Sequence, residues 1–126
     1  MISYSGDIAF TLDEPTPESC AGRMQVGPGI LNPFGTIHAG ALTWFADVVA
    51  THFVLQGVTA EEGMASFPVA TSLNIQLLGN VTSGEVTAEA RWVKKGRRIS
   101  TVRTEVRGPD GRLLFELTSS HVAAKG

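Results

Sequence analysis

The most hydrophobic stretch of this 126-residue chain, residues 37–55, carries a carboxylate, Asp47, in its middle. Burying a lone carboxylate costs several kcal/mol unless it is paired, hydrogen-bonded or protonated. The stretch reads as a helix from about Ala39 to Gln56, with Gly57 as its C-terminal stop. A helix of that length spans ~27 Å. It is apolar nearly all round, so it is expected to be enclosed by the rest of the chain. One face is different. Gly40, Thr43, Asp47, Ala50 and Thr51 follow the i, i+3, i+4 rule and are small or polar, which leaves a narrow side where another molecule could approach. A membrane span of this length would not carry Asp47, His38 and His52.

The pattern then changes. Val69, Thr71, Leu73, Ile75 and Leu77 alternate with polar or small residues, as do Val86–Trp92, Ser100–Val106 and a last run from Leu113 to Val122. Turn residues separate the runs at Gly79-Asn80 and Ser83-Gly84, at Lys95-Gly96-Arg97, and at Gly108-Pro109-Asp110-Gly111. Connections this short predict a four-strand antiparallel meander. Before the helix, Pro15, Pro17, Pro28 and Pro33 punctuate the chain and leave room for strands near Ile8–Leu12 and Gly22–Val26. The expected architecture is α+β, a curved antiparallel sheet of five or six strands wrapped around one long central helix. A sheet of that size over one helix leaves edges and an apolar face, so a homo-oligomer is expected.

The chain length and the absence of a linker predict a single domain over residues 1–126. A formal charge of −2 argues against nucleic acid as the main partner, because phosphate contacts need a basic excess. Cys20 is the only cysteine, which excludes an internal disulfide and fits a reducing cytoplasm. No pairing of histidines resembles a zinc site, and Ser119 and Ser120 lack the glycines of a nucleophile elbow.

Two groups of residues could carry chemistry. Asp47 is either a structural acid bonded to backbone, Asn or His, or a general base or nucleophile beside a reactive carbonyl. The segment Asn32-Pro33-Phe34-Gly35-Thr36-Ile37-His38-Ala39-Gly40 enters the helix through glycines. Helix N-termini present unpaired N–H groups, and in a poorly solvated site these can hold a developing oxyanion. Asn32 equally suits a turn and His38 a packed loop. His52 falls on another helix face and is expected to be structural, while His121 has no acidic neighbour in sequence. The cluster Lys94-Lys95-Gly96-Arg97-Arg98 reads either as a solvated hairpin tip or as a phosphate-binding patch. Phe34, Trp44 and Phe67 are core residues or an aromatic pocket lining.

The order Asn32-x-x-Gly35-x-x-His38-Ala39-Gly40 followed by Asp47 resembles the N-x-x-G-x-x-H-G-G…D pattern of hotdog-fold acyl-CoA thioesterases of the phenylacetate-degradation type. The Leu73–Leu78 run, the Gly84–Trp92 strand and the Lys95-Gly96-Arg97 turn fall where that family has comparable strands, so the similarity covers about residues 28–122. The resemblance implies a hotdog fold and hydrolysis of an acyl-CoA thioester without metal or organic cofactor. It implies that Asp47 is the base or nucleophile and that the Ala39 backbone N–H polarises the carbonyl. Asn32, His38 and Gly40 would complete the site, and Thr51 matches a position where some members carry a water-positioning threonine; bonding back to the helix is its other reading. Ala39 stands where the family usually has glycine, which keeps the donor and narrows the approach. Gly96, Arg97 and Arg98 would border the coenzyme A channel. The resemblance further implies a homotetramer, a dimer of dimers with each site shared between two subunits. Hydratase or dehydratase action on acyl thioesters, and non-catalytic acyl-CoA binding, are the rival functions; the His-Phe-Pro type motif of the former is absent.

Overall fold

A computed structural model describes residues 1–59 and 61–123. One helix, α1 (Ala39–Leu55), lies against a sheet of six strands: β1 (Thr11–Leu12), β2 (Ser19–Val26), β3 (Pro68–Leu77), β4 (Gly84–Lys95), β5 (Ile99–Arg107) and β6 (Leu113–Ala123). A short 3-10 turn at Pro28–Ile30 leads from β2 towards the helix. This is the hotdog arrangement, a helix held in a curved antiparallel sheet.

The helix ends one residue earlier than its periodicity predicts, and for a local reason. Gln56, not Gly57, is the first residue in the left-handed region, at φ 50° and ψ 48°. That conformation is costly for a residue with a Cβ. The Gln56 side chain compensates: its Nε2 donates to the Phe53 carbonyl at 2.9 Å and to the Thr16 carbonyl at 3.0 Å. It caps the helix and ties it to the β1–β2 loop. Gly57 follows at φ 87°.

All strand pairs are antiparallel and the order is β1-β2-β4-β5-β6-β3. The expected meander is therefore correct for β4-β5-β6 and wrong for β3. That strand pairs with β6 at the far edge, from Pro68↔Ala123 to Leu77↔Phe115. Its connection to β4, residues 78–83, is no hairpin. Six residues reach at most ~20 Å, enough to cross the ~14 Å of three strand spacings. The segment passes over the β5–β6 turn, where Leu78 and Gly79 N–H both donate to the Leu114 carbonyl, at 2.8 and 3.0 Å.

Inward residues of β2, β4, β5 and β6 alternate as predicted and meet one stripe of the helix. Leu42, Phe45, Ala46, Val49, Ala50 and Phe53 are all buried against them. Gly22 sits beneath this stripe because a Cβ there would lie 3.0 Å from Val49 Cγ2 and 3.2 Å from Phe45 Cε1. The helix is not enclosed within the protomer, however. Ala50 belongs to the core stripe, while Gly40 and Trp44 are exposed and Val48, Thr51 and Leu55 half-buried on the opposite side. β3 also departs from simple alternation. A bulge between Ala70 and Ser72 shifts its register, placing Leu73, Ile75 and Leu77 opposite the inward Ser119, Leu117 and Phe115. Leu73 and Leu77 nonetheless remain exposed, at 45% and 60%.

Candidate active site

The segment before α1 is built by two asparagines. Asn32 Oδ1 accepts from the Phe34 and Thr36 N–H groups, at 3.0 and 3.2 Å, and its Nδ2 donates to Thr36 Oγ1 at 2.9 Å. This folds residues 32–36 into a side-chain-closed turn, with Gly35 at φ 92° where a Cβ would be strained. Asn80, which sequence reading treats as a turn residue only, reaches across from the β3–β4 connection. Its Oδ1 accepts from Ile37 N–H at 3.0 Å and its Nδ2 donates to the Ile37 carbonyl at 2.9 Å. Ile37 is buried, so these two bonds replace water on both of its backbone groups. Asn80→Ala is expected to cost about 1–3 kcal/mol, read by chemical denaturation, because it strands a buried donor and acceptor. A variant as stable as wild type would show that water reaches Ile37.

His38 is the helix N-cap. Its Nδ1 accepts from Gly40 N–H at 3.0 Å, which puts the ring proton on Nε2. Ala41 and Leu42 N–H groups donate to the His38 carbonyl. The Ala39 N–H, first of the helix, is engaged by none of the described residues, so it remains the group at this N-terminus able to meet an oxyanion.

Asp47 lies about two turns further on. It is half-buried, with Oδ1 shut off from solvent and without a hydrogen-bond partner. Burial raises its pKa above the ordinary carboxylate value, and the charge of His121 partly opposes that rise. Asp47 borders an apolar cavity of about 340 Å³ together with Thr51, Leu55, Phe67 and Pro68. His52 lines the same cavity, so the expectation that it faces elsewhere does not hold: a wall can draw on residues more than 90° apart around a helix. Of the three aromatic candidates, Phe67 borders this cavity, Phe34 is exposed, and Trp44 packs edge-on against Phe10 at 4.7 Å.

His121 is the residue sequence reading missed. It is buried on β6 opposite Ala70 of β3, and its Nε2 lies 2.8 Å from Ser119 Oγ. Burial lowers its pKa, while the Pro68 carbonyl and Asp47 favour its protonated form. Nδ1 makes no hydrogen bond of regular geometry, although the Pro68 carbonyl is near. β6 packs against α1, and this tertiary contact relates His121 to Asp47, 74 residues away in the chain.

A second cavity of about 240 Å³ adjoins the first, sharing Leu55 and Pro68 as walls, and is lined by Gly96, Arg97, Arg98 and His121. Gly96 closes the β4–β5 hairpin with its N–H donating to the Ile99 carbonyl at 3.1 Å. A Cβ on Gly96 would stand 2.3 Å from that oxygen, so the turn admits glycine alone. The two arginines therefore project from a tightly fixed turn. Within one protomer the upstream residues do not share the Asp47 cavity. Asn32, His38 and Gly40 line a separate recess formed with residues 4–8, and Ala39 another beside Leu77–Asn80. Among the described residues, no group of three or more His, Cys, Asp or Glu side chains is placed to hold a metal ion, and no helix is long and apolar enough to cross a membrane.

A half-buried acid thus lies beside an apolar cavity on the helix of this hotdog domain. The chain belongs to the thioesterase superfamily, whose family model matches residues 34–115. It is similar to a variant of a Pseudomonas aeruginosa thioesterase, with 26% identity over 90% of this chain and 81% of that one and a TM-score of 0.75. It is also similar to a phenylacetic acid degradation-related protein from Ralstonia eutropha JMP134, with 25% identity, 83% and 76% coverage and a TM-score of 0.72. A Haemophilus influenzae thioesterase shares the fold at 24% identity, 91% and 79% coverage and a TM-score of 0.75.

Proposed function

We propose that this protein hydrolyses acyl-coenzyme A, with Asp47 as general base or nucleophile and the Ala39 N–H polarising the thioester carbonyl. The observation that carries this reading is a carboxylate with a raised pKa at an apolar cavity that shares Leu55 and Pro68 as walls with an arginine-lined one. The acyl group would occupy the cavity beside Asp47. The nucleotide phosphates would meet Arg97 and Arg98, whose donors suit phosphate oxygens.

Geometry supports a site shared between two copies. Asp47 is eight residues from Ala39, so the two lie ~12 Å apart along one helix. One carbonyl within ~3 Å of an oxyanion donor cannot also be within reach of a base that distant. A second protomer whose helix runs the other way would bring its Ala39 N–H, with Asn32, His38 and Gly40 holding that segment, to the Asp47 of the first. The open helix face and the exposed edge of β3 supply surfaces for such a contact. A homotetramer, a dimer of dimers, is the assembly we expect, and light scattering should give about four times the 13.3 kDa chain mass. A monomer that is fully active would end the shared-site reading. The single cysteine fits a cytoplasmic setting.

In the general-base route, Asp47 takes a proton from water as the oxygen attacks the carbonyl carbon. The oxyanion is held by the backbone N–H, the C–S bond breaks, and the thiolate regains the proton from Asp47. In the nucleophilic route, Asp47 itself attacks, the thiolate leaves, and water hydrolyses the resulting mixed anhydride. Thr51 lines the same cavity and would orient the water in either case. Neither route uses a metal or organic cofactor.

Release of free thiol from a panel of aromatic, short and long acyl-CoA thioesters tests the activity. Hydration without thiol release would favour a hydratase, and saturable binding without turnover an acyl-CoA-binding protein. The phosphate role has its own test. Arg97→Ala combined with Arg98→Ala should raise KM for acyl-CoA about tenfold, the ~1.4 kcal/mol of a charge-assisted contact. Activity on a short thioester lacking the nucleotide should be unchanged. Equal effects on both substrates would remove the phosphate role.

A further inference from the structure

Two buried side-chain atoms near the reacting carboxylate lack partners: Asp47 Oδ1 and His121 Nδ1. They come from opposite layers, the helix and β6. Pro68–Ala70 of β3 lies beside both. Pro68 borders both cavities, one of which touches Asp47 and the other His121, and Ala70 pairs directly with His121. The ring itself is anchored, since Ser119 Oγ occupies Nε2 at 2.8 Å.

We propose that His121 is a positioning residue for Asp47: held at Nε2 by Ser119, it serves the carboxylate from Nδ1 through one buried water molecule, with the Pro68 carbonyl as that water's third partner. This inference rests on the reading of Asp47 as the reacting acid. A buried water needs two to four polar partners, and these three groups supply them. The tautomer follows from the network. Both acceptors near Nδ1, the Pro68 carbonyl and the carboxylate, call for a proton there, so Ser119 donates its hydroxyl hydrogen to Nε2. Burial disfavours the charged ring while Asp47 and the Pro68 carbonyl favour it, and in either state Nδ1–H is a hydrogen-bond donor. A donor on the ionised form steadies the carboxylate in the rotamer that faces the cavity.

Other charges around the pair are few. α1 contributes His52 beside Asp47, and the β4–β5 turn contributes Arg97 and Arg98 on the His121 side. The Pro68–Ala70 segment contributes none. Glu105 and Glu116 of β5 and β6 lie on the outer face, paired with Arg107 and Arg103. Among the described residues, Asp47, His52, Arg97, Arg98 and His121 are the titratable and charged groups that border the two cavities.

The test is a direct titration of Asp47 by NMR, with 13C in the carboxyl groups of the four aspartates, in the wild type, His121→Leu, His121→Gln and Ser119→Ala. Loss of the donor in His121→Leu should move the Asp47 midpoint up by about one pH unit, a tenfold loss of ionisation. Gln retains an N–H and should restore most of the shift. Ser119→Ala, which loosens the ring while keeping it, should move the midpoint in the same direction by less. In hydrolysis assays near neutral pH, kcat should fall in His121→Leu with KM within twofold, and the acid limb of the rate profile should move with the NMR midpoint. An Asp47 midpoint unmoved in a folded His121→Leu, or in Ser119→Ala should the leucine variant not fold, would overturn the proposal. The titration needs no substrate, so it decides the point even in the case that no acyl-CoA is turned over, an outcome that would count against the proposed function alone.

Discussion

Asp47→Asn should abolish thioester hydrolysis and, at neutral pH, leave a protein that melts higher than the wild type. The catalytic half follows from the amide's inability to take a proton or attack a carbonyl. A positioned acid–base group contributes 10²–10⁴-fold, so a loss of about a thousandfold in kcat is expected. The stability half follows from burial. The folded protein holds the Asp47 pKa above its unfolded value. A carboxyl raised in this way contributes its full stability below the unfolded pKa and loses it as pH rises through the folded one. Above that window the ionised acid is a burden on the fold, and Asn removes the burden. The gain should therefore shrink as melting is repeated towards pH 4. Hydrolysis by Asp47→Asn at the wild-type rate would exclude Asp47 from the chemistry. A lower melting point at neutral pH would mean that the ionised carboxylate is well solvated or paired in the fold.

Phe45→Ala should cost about 3–5 kcal/mol, the range for truncating a buried aromatic, and lower the urea midpoint by roughly 2 M. Phe45 is fully buried where helix and sheet meet, against Phe10 at 5.1 Å between ring centroids. Gly22 of β2 lies beneath this ring and has no side chain to refill the space. A midpoint shift under half a molar would mean that the sheet closes down on the cavity.

Long-range order is what the sequence conceals. The apolar run around Asp47 and the period-two alternation after Gly63 are local signals, and helix, strands and the two true hairpins emerge from them correctly. The position of β3 does not, because a six-residue connection permits either a hairpin or a crossing over the neighbouring turn, and its composition suits both. The two residues absent from the sequence-derived site, Asn80 and His121, depend on that position. Asn80 sits on the crossing segment, and His121 lies opposite Ala70 of β3 because β6 is the neighbour of β3. The bulge at Ala70–Ser72 was equally invisible, since alternation around Thr71 continues unbroken in the sequence. The residues of the Asn32–Gly40 motif were legible as a group, and their division between a side-chain-closed turn, a helix cap and a free N–H is what coordinates add.

The same β3–β6 pairing has a temporal side. As the chain leaves the ribosome, the helix and β3 emerge long before Leu113–Ala123, the strand against which β3 is paired among the described residues. Hairpin β4–β5 can form at once from neighbours in sequence, whereas β3 must wait for the last strand to be made. The wall carrying Pro68 and Ala70, and with it the enclosure around Asp47, is therefore finished only at the end of synthesis. A nascent chain truncated before β6 has Asp47 but not the finished wall beside it, and on the proposed function it would not turn over thioesters.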